Sequence, residues 1–139
     1  MIQVRSIDHV VLRVRDIGRS MRFYRDVLGC VEERRIEALG LFQLRAGASL
    51  IDLVDLEKPL GALGGAAPGQ EGRNVDHVAL RIEKLNEPEL RAHLAAHGVE
   101  PGEVDQRYGA EGIGPSMYIR DPDGNVIELK GPATSPSVR

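Results

Sequence analysis

Asp8-His9-Val10-Val11-Leu12-Arg13-Val14 returns later in the chain as Asp76-His77-Val78-Ala79-Leu80-Arg81-Ile82, with 68 residues separating His9 from His77. Alternating apolar and polar positions make both stretches strands. Each leads into a helical pattern that stops at a glycine, Gly29 and then Gly98, 69 residues apart, so the register of the repeat is kept. The first helix is predicted to start at an Asp16 N-cap and to carry Ile17, Met21, Tyr24 and Leu28 on one stripe before Gly29 ends it. The second is predicted to be capped by Asn86. Glu89 completes a capping box there, Leu85 and Leu90 a hydrophobic staple, and Pro88 sits in the tolerant first turn.

Working outward, short alternating segments follow each glycine: Phe42 to Arg45 and Ser49 to Val54 in the first copy, Met117 to Arg120 and Asn125 to Lys130 in the second. They read as antiparallel hairpin strands, the second pair joined by the turn-forming Asp121-Pro122-Asp123-Gly124. The last strands also correspond, Ile51-Asp52-Leu53 with Ile127-Glu128-Leu129. The 76-residue offset between Asp52 and Glu128 assigns about seven extra residues to the second copy, expected in its glycine-rich loop. Pro59 to Asn74 holds five glycines and two prolines in sixteen positions, the sharpest composition break in the chain. The expected fold class is α+β: two tandem βαβββ modules, residues 5–58 and 75–131, forming a curved sheet around a cup. They are joined by a linker at 59–74 and followed by a loose tail at 132–139.

Composition bounds the function. A chain of 139 residues, 42% hydrophobic and 28% charged, can bury a proper core without staples. A net charge of −3 without long runs of one sign lacks the basic face of a nucleic-acid binder. The one cysteine, Cys30, allows neither an intrachain disulfide nor a thiolate metal cluster. With no apolar run of membrane-spanning length, and charged and apolar residues mixed from Met1 to Arg15, the expected setting is cytoplasmic, with no membrane partner.

The pleat decides which side chains face the helices. Val10, Leu12 and Val14, like Val78, Leu80 and Ile82, take that side and leave His9, Val11, Arg13 and His77, Ala79, Arg81 opposite. By the same rule Ile51, Leu53, Ile127 and Leu129 leave Asp52 and Glu128 on the non-helix face. Each module thus offers one imidazole and one carboxylate on one sheet face. If the sheets curl together about a pseudo-twofold axis, His9, Asp52, His77 and Glu128 converge, a donor set for Fe, Mn, Co, Ni or Zn rather than calcium. The plainer alternative is paired histidines and acids at a sheet interface. His93 and His97 form a competing i, i+4 pair, but no Glu follows His93, no third ligand is evident, and the helix dipole accounts for His97 beside Gly98. Gly109 to Pro115 precedes a strand rather than a helix, so it is no phosphate loop. It is expected to be a mobile rim or a plain surface loop.

These residues resemble the vicinal oxygen chelate superfamily, which holds glyoxalase I, extradiol dioxygenases, fosfomycin and bleomycin resistance proteins and methylmalonyl-CoA epimerase. The resemblance is carried by Asp8-His9-Val10, by Leu12-Arg13-Val14 through Phe23-Tyr24 to Leu28-Gly29, by Asp76-His77-Val78, and by Arg120 through Leu129. Arg107-Tyr108-Gly109-Ala110 leading into Met117-Tyr118-Ile119-Arg120 is most similar to small glyoxalase-domain proteins labelled virulence proteins. The resemblance implies a homodimer with a metal cup in which His9, His77 and Glu128 match the common ligands and Asp52 the fourth position. Glyoxalase I usually has Glu there. Asp is one methylene shorter, so a water could bridge it to the metal. Arg13 matches an arginine that helps glyoxalase I bind glutathione, although Arg81 at the equivalent place leaves a solvated edge arginine as the alternative.

The chemistry so implied is bidentate binding of two neighbouring oxygens of a small-molecule substrate to a divalent metal, Ni, Zn, Co, Mn or Fe. Glu128 or Asp52 would serve as the base that forms an enediolate, with glutathione as a candidate co-substrate. The preferred function is a glyoxalase-like lyase or isomerase, because a fourth acidic position favours a closed four-ligand site. The alternatives are an Fe(II) dioxygenase using Tyr108 or Tyr118 as acid, a thiol transferase acting on an antibiotic, and a metal-free sequestering protein. Whether the modules pair within one chain or across the dimer is left open by the long linker.

Overall fold

The computed structural model describes residues 1–138. It divides into two compact units, Met1 to Glu71 and Gly72 onward. Both are α+β and wound in the same order. In the first unit β1 (His9–Val14), β2 (Val31–Ile36), β3 (Leu41–Ala46) and β4 (Ser49–Asp55) form a sheet of order β1-β4-β3-β2. In the second, β5 (His77–Arg81), β6 (Val104–Gly109), β7 (Gly112–Arg120) and β8 (Val126–Lys130) run β5-β8-β7-β6, with β9 (Ser135–Pro136) on β7. The first strand lies parallel to the last in each unit and the other pairs are antiparallel. The repeated strands therefore nucleate the same βαβββ path twice.

Helix α1 (Ile17–Arg22) starts where its cap requires, with Asp16 accepting from the Arg19 N–H at 3.1 Å. It then widens into a π-helical turn over Phe23–Val27, and Gly29 ends it at φ 74°. The widening buries Phe23 beside Met21 and Tyr24, so the apolar stripe is broader than the even α spacing implied. In the second unit α3 (Glu87–Ala96) is capped by Asn86, which accepts from the Glu89 N–H at 3.1 Å. The Glu89 carboxylate turns instead toward Lys84, at 3.8 Å. Leu94 anchors this helix at 1% exposure. The helix-facing sides of the sheets carry the buried core: Val14, Leu44, Ile51 and Leu53 in one unit, Met117, Ile119, Ile127 and Leu129 in the other.

Four expectations are corrected. The glycine-rich Gly109 to Pro115 is not a plain loop but the tip of the β6–β7 hairpin, where Gly109 pairs with Gly112 across a two-residue turn. Nor does it hold the extra residues of the second copy. Four of them lie between Gly98 and Val104, and the five-residue Asp121–Asn125 joint outspans Gly47–Ala48. The tail is not loose throughout, because Ser135 and Pro136 pair with Ile113 and Gly112, and the Val138 N–H donates to the Tyr108 hydroxyl at 2.8 Å. Arg139 lies outside the described residues. The predicted linker is partly structured: Pro59–Ala62 forms the short helix α2, and residues 59–71 belong to the first unit.

Candidate metal and base site

His9 opens β1 and His77 opens β5, so each imidazole projects from the first residue of an edge strand. Two positions on, Val11 pairs with Asp52 and Ala79 pairs with Glu128, giving both units the same diagonal between imidazole and carboxylate. The residues just before the histidines complete the motif. His9 Nδ1 lies 2.7 Å from Asp8 Oδ1, and His77 Nδ1 lies 2.7 Å from Asp76 Oδ2. Asp8 and Asp76 are almost fully exposed, so their bonds orient the rings more than they stabilise the fold. With Nδ1–H engaged, a neutral ring offers Nε2 as its lone pair, as a metal ligand must. The Asp8 hydrogen bond, helped by the Asp52 and Asp8 charges, raises the His9 pKa above its ordinary 6.5.

In the second unit His77 Nε2 stands 3.1 Å from Glu128 Oε1, and the Glu128 side chain is 8% exposed. A neutral imidazole whose Nδ1–H is spent on Asp76 would turn a lone pair toward a carboxylate. The two repel unless a proton or a metal cation lies between them, and their separation suits donors that share one cation. Tyr118, directly opposite Glu128 on β7, packs edge-on to His77 with ring centroids 5.3 Å apart, and the Arg107 guanidinium lies 4.4 Å over the Tyr118 ring.

In the first unit Asp52 is 4% exposed. Its Oδ2 accepts from Gln43 Nε2 at 3.1 Å, whereas its Oδ1 is buried with no hydrogen-bond partner among the described residues. The Gln43 amide oxygen is orphaned in the same way. Pleat reasoning placed Asp52 and Glu128 on the non-helix face but gave no hint that they are buried. A buried carboxylate oxygen without a donor costs about 1–3 kcal/mol or more, and such groups in native proteins usually face an ion, a water or a ligand. Each unit by itself offers one oriented imidazole and one buried acid, donor types that suit a divalent transition metal. No three His, Cys, Asp or Glu side chains are gathered into a metal-holding group among the described residues.

Arg13 shares the His9 side of β1, but its guanidinium holds the chain after β4. Nε donates to the Gly61 carbonyl at 2.9 Å, and the terminal nitrogens donate to Gly65 at 2.5 Å and Ala66 at 3.2 Å. Arg81 donates to Glu111 and to the Ile82 carbonyl. His93 and His97 sit exposed on α3 and at its C-cap with centroids 4.8 Å apart. Sequence reasoning missed Gln43. The one available signal was its register opposite Asp52, which becomes visible only once the β3–β4 pairing is known.

The site's likeness to known proteins extends over nearly the whole chain. A virulence protein of Salmonella typhimurium, STM3117, is 34% identical over 126 residues, covering 88% of this chain and 81% of its own. Its crystal structure superposes with a TM-score of 0.71 at 29% identity over 95% of this chain and 100% of that one. A glyoxalase domain-containing protein of Mycosarcoma maydis, RDO1, is 30% identical, covering 92% and 69% of the two chains. The crystal structure of lactoylglutathione lyase from Agrobacterium tumefaciens shares the fold, with a TM-score of 0.64 at 21% identity over 91% and 92%. Superfamily members of this kind include glyoxalases, dioxygenases and fosfomycin resistance proteins, and they commonly use a divalent metal. Residues 6–129 match the model of one family, and on that match the chain belongs to the glyoxalase/bleomycin resistance protein/dioxygenase superfamily.

Proposed function

We propose that the protein is a divalent-metal-dependent lyase or isomerase of the glyoxalase type, acting on a small substrate with two neighbouring oxygens. His9, His77 and Glu128 hold the metal, Asp52 occupies the fourth acidic position, and Ni, Zn, Co, Mn and Fe all suit the donors. The observation that carries the reading is the buried Asp52 carboxylate with one oxygen free of any donor among the described residues, the state a general base must be in before substrate arrives.

A bound divalent cation supplies Lewis acidity to the two substrate oxygens. The carboxylate of Asp52 or Glu128 takes the proton from the carbon beside the carbonyl, and the bonding pair moves onto the carbonyl oxygen to give an enediolate. The acid so formed returns the proton to the neighbouring carbon while the hydroxyl proton passes to the former carbonyl oxygen, so no oxidant or reductant is consumed. Burial of both carboxylates keeps water from competing for that proton. Glutathione remains a candidate co-substrate, but Arg13 holds three backbone carbonyls and would have to release them to bind it. A homodimer in the cytoplasm, with no nucleic-acid or membrane partner, completes the proposal. No helix among the described residues is long and apolar enough to cross a membrane.

The test is elemental analysis of protein purified without chelator, then turnover of methylglyoxal with glutathione under each metal. Stoichiometric metal with lactoylglutathione as product supports the reading, and absence of metal removes it. One observation favours a second reading. Tyr118 stands edge-on to His77, where an Fe(II) dioxygenase would place an acid, and oxygen uptake with a catechol would select that reading.

A further inference from the structure

Lys130 ends β8 with its side chain on the face that carries Glu128, two residues before it, and it is 8% exposed. Its ammonium has little to hold. Among the described residues Nζ reaches the Gly131 carbonyl at 3.5 Å, and no acid pairs with it. A buried cation is expensive unless a counter-charge meets it. The sheet makes room for the lysine stem through two glycines: a Cβ at Gly109 would lie 3.2 Å from Lys130 Cε, and one at Gly114 would lie 3.0 Å from Nζ.

A second cation crosses the same patch. Lys130 pairs with Ser116 on β7, and Arg107 on β6 pairs with Gly114, so the four residues share one face. Lys130 runs from beside Ser116 toward Gly114, whereas Arg107 runs the other way and donates to the Ser116 hydroxyl and carbonyl, both at 2.8 Å. The two positive groups thus stand over ladder positions two residues apart, roughly 7 Å along the strand. Arg107 has one acid near it, Asp105 at 3.5 Å, whose side chain is 72% exposed and screens the charge weakly. Ser116 is fully buried, and its hydroxyl accepts from Arg107 while keeping its own hydrogen to give. Arg81, on the far side of Lys130, is paired with Glu111 in the β6–β7 turn.

We propose that Lys130, Arg107 and Ser116 form an oxyanion subsite that takes the carboxylate or phosphoryl group of a small molecule. One such group between the ammonium and the guanidinium, held by charge-assisted hydrogen bonds of about 2.8 Å, gives both cations a counter-charge and the Ser116 hydroxyl an acceptor. The subsite lies wholly within the second unit and needs no metal. Resting on the reading above, it also narrows the substrate. Glu128 and Tyr118 are the next pair along the same face, roughly 7 Å away. The substrate is then a short acid whose reacting carbon stands a few bonds from its carboxylate or phosphate.

Thermal melting of the metal-free full chain in inorganic phosphate, in acetate and in chloride at equal ionic strength tests the subsite. A saturable rise with phosphate or acetate beyond that in chloride is expected, and whichever acts at the lower concentration names the group. Lys130→Met and Arg107→Gln should each weaken that anion about tenfold or more, as loss of a charge-assisted hydrogen bond does. Melting curves in phosphate and acetate that match chloride would overturn the proposal, and so would an anion affinity that Lys130→Met leaves unchanged. Should Lys130→Met not fold, Arg107→Gln reads the same loss, and unchanged affinity there overturns the proposal equally. The metal reading fails separately: protein purified without chelator and found free of metal would still bind the anion through Lys130.

Discussion

Replacing His77 with alanine tests the metal assignment and the Glu128 contact in one experiment. The imidazole Nε2 lies 3.1 Å from the Glu128 carboxylate, whose side chain is 8% exposed. Without metal the two groups attract only with a proton between them, and removing the ring then strips a nearly buried carboxylate of that partner, which costs about 1–3 kcal/mol. The upper end is discounted because His77 itself is 31% exposed and water can partly replace it. At roughly 4 °C per kcal/mol for a chain of this size, the metal-free variant should melt about 4–8 °C below the unaltered protein. Metal then widens the gap. A ligand at one hundred times its Kd adds about 2.7 kcal/mol to the native state, or roughly 10 °C, and the variant should show none of that rise. Differential scanning calorimetry of chelator-treated protein, before and after Ni or Zn is added, reads both effects, and elemental analysis gives the stoichiometry. His93→Ala on α3 is the control and should keep the full metal-induced rise. A variant at His77 that still carries stoichiometric metal and the full rise would refute the reasoning.

Gly61 is buried, and a Cβ there would lie 2.0 Å from the Asp55 carbonyl oxygen, a backbone atom that cannot swing away. Gly61→Ala should therefore cost about 1–3 kcal/mol or more in urea unfolding, and an unchanged midpoint would sink the claimed approach of α2 to β4. Asn86→Ala should cost about 1 kcal/mol and fray the start of α3, which amide exchange at Glu89 would reveal. In metal-free protein, imidazole NMR should find His9 titrating above 6.5, with Asp8→Asn moving it down. Because the folded value is the raised one, the stability from this pair is present below pH 6.5 and lost as pH rises through the folded pKa. A His9 titration indifferent to Asp8→Asn would leave the ring's orientation unexplained.

The parts of the fold legible in the sequence are those where local chemistry and tertiary packing agree. Asp16 and Asn86 cap their helices, Gly29 and Gly98 stop them, and the duplicated strands share register because one face of each must be buried. Strands β2 and β6 were not legible. Val31-Glu32-Glu33-Arg34-Arg35-Ile36 and Val104-Asp105-Gln106-Arg107-Tyr108-Gly109 are edge strands, held by backbone pairing to one neighbour and rich in exposed charge, so no alternation announces them. The hairpin glycines misled for a related reason. Gly112 and Gly114 look like loop formers, yet they sit in β7 because the C-terminal segment crosses there. A Cβ would meet the Ser135 oxygen at 1.9 Å and the Pro132 oxygen at 2.5 Å. The π-helical turn after Arg22 has no local signature at all.

Duplication placed the histidines and acids, but their roles follow from where the copies differ. The same register holds Gln43 against Asp52 and Tyr118 against Glu128. In the second unit Glu128 Oε1 meets His77 Nε2, and the residue opposite is an aromatic ring packed on that histidine. In the first unit the residue opposite is an amide that satisfies one Asp52 oxygen and leaves the other bare. On the proposed reading, a carboxylate at contact distance from an imidazole suits a ligand, and one held by an amide and left unsatisfied suits a base. The two copies of one strand pattern would then divide the work, Glu128 toward the metal and Asp52 toward the substrate proton. The side chain across the ladder, more than the acid itself, sets the difference. Exchanging those neighbours, Gln43→Tyr or Tyr118→Gln, should thus disturb turnover and metal affinity unequally: the first should lower kcat with metal retained, the second should loosen the metal. Equal effects of the two on metal content would break this division of roles.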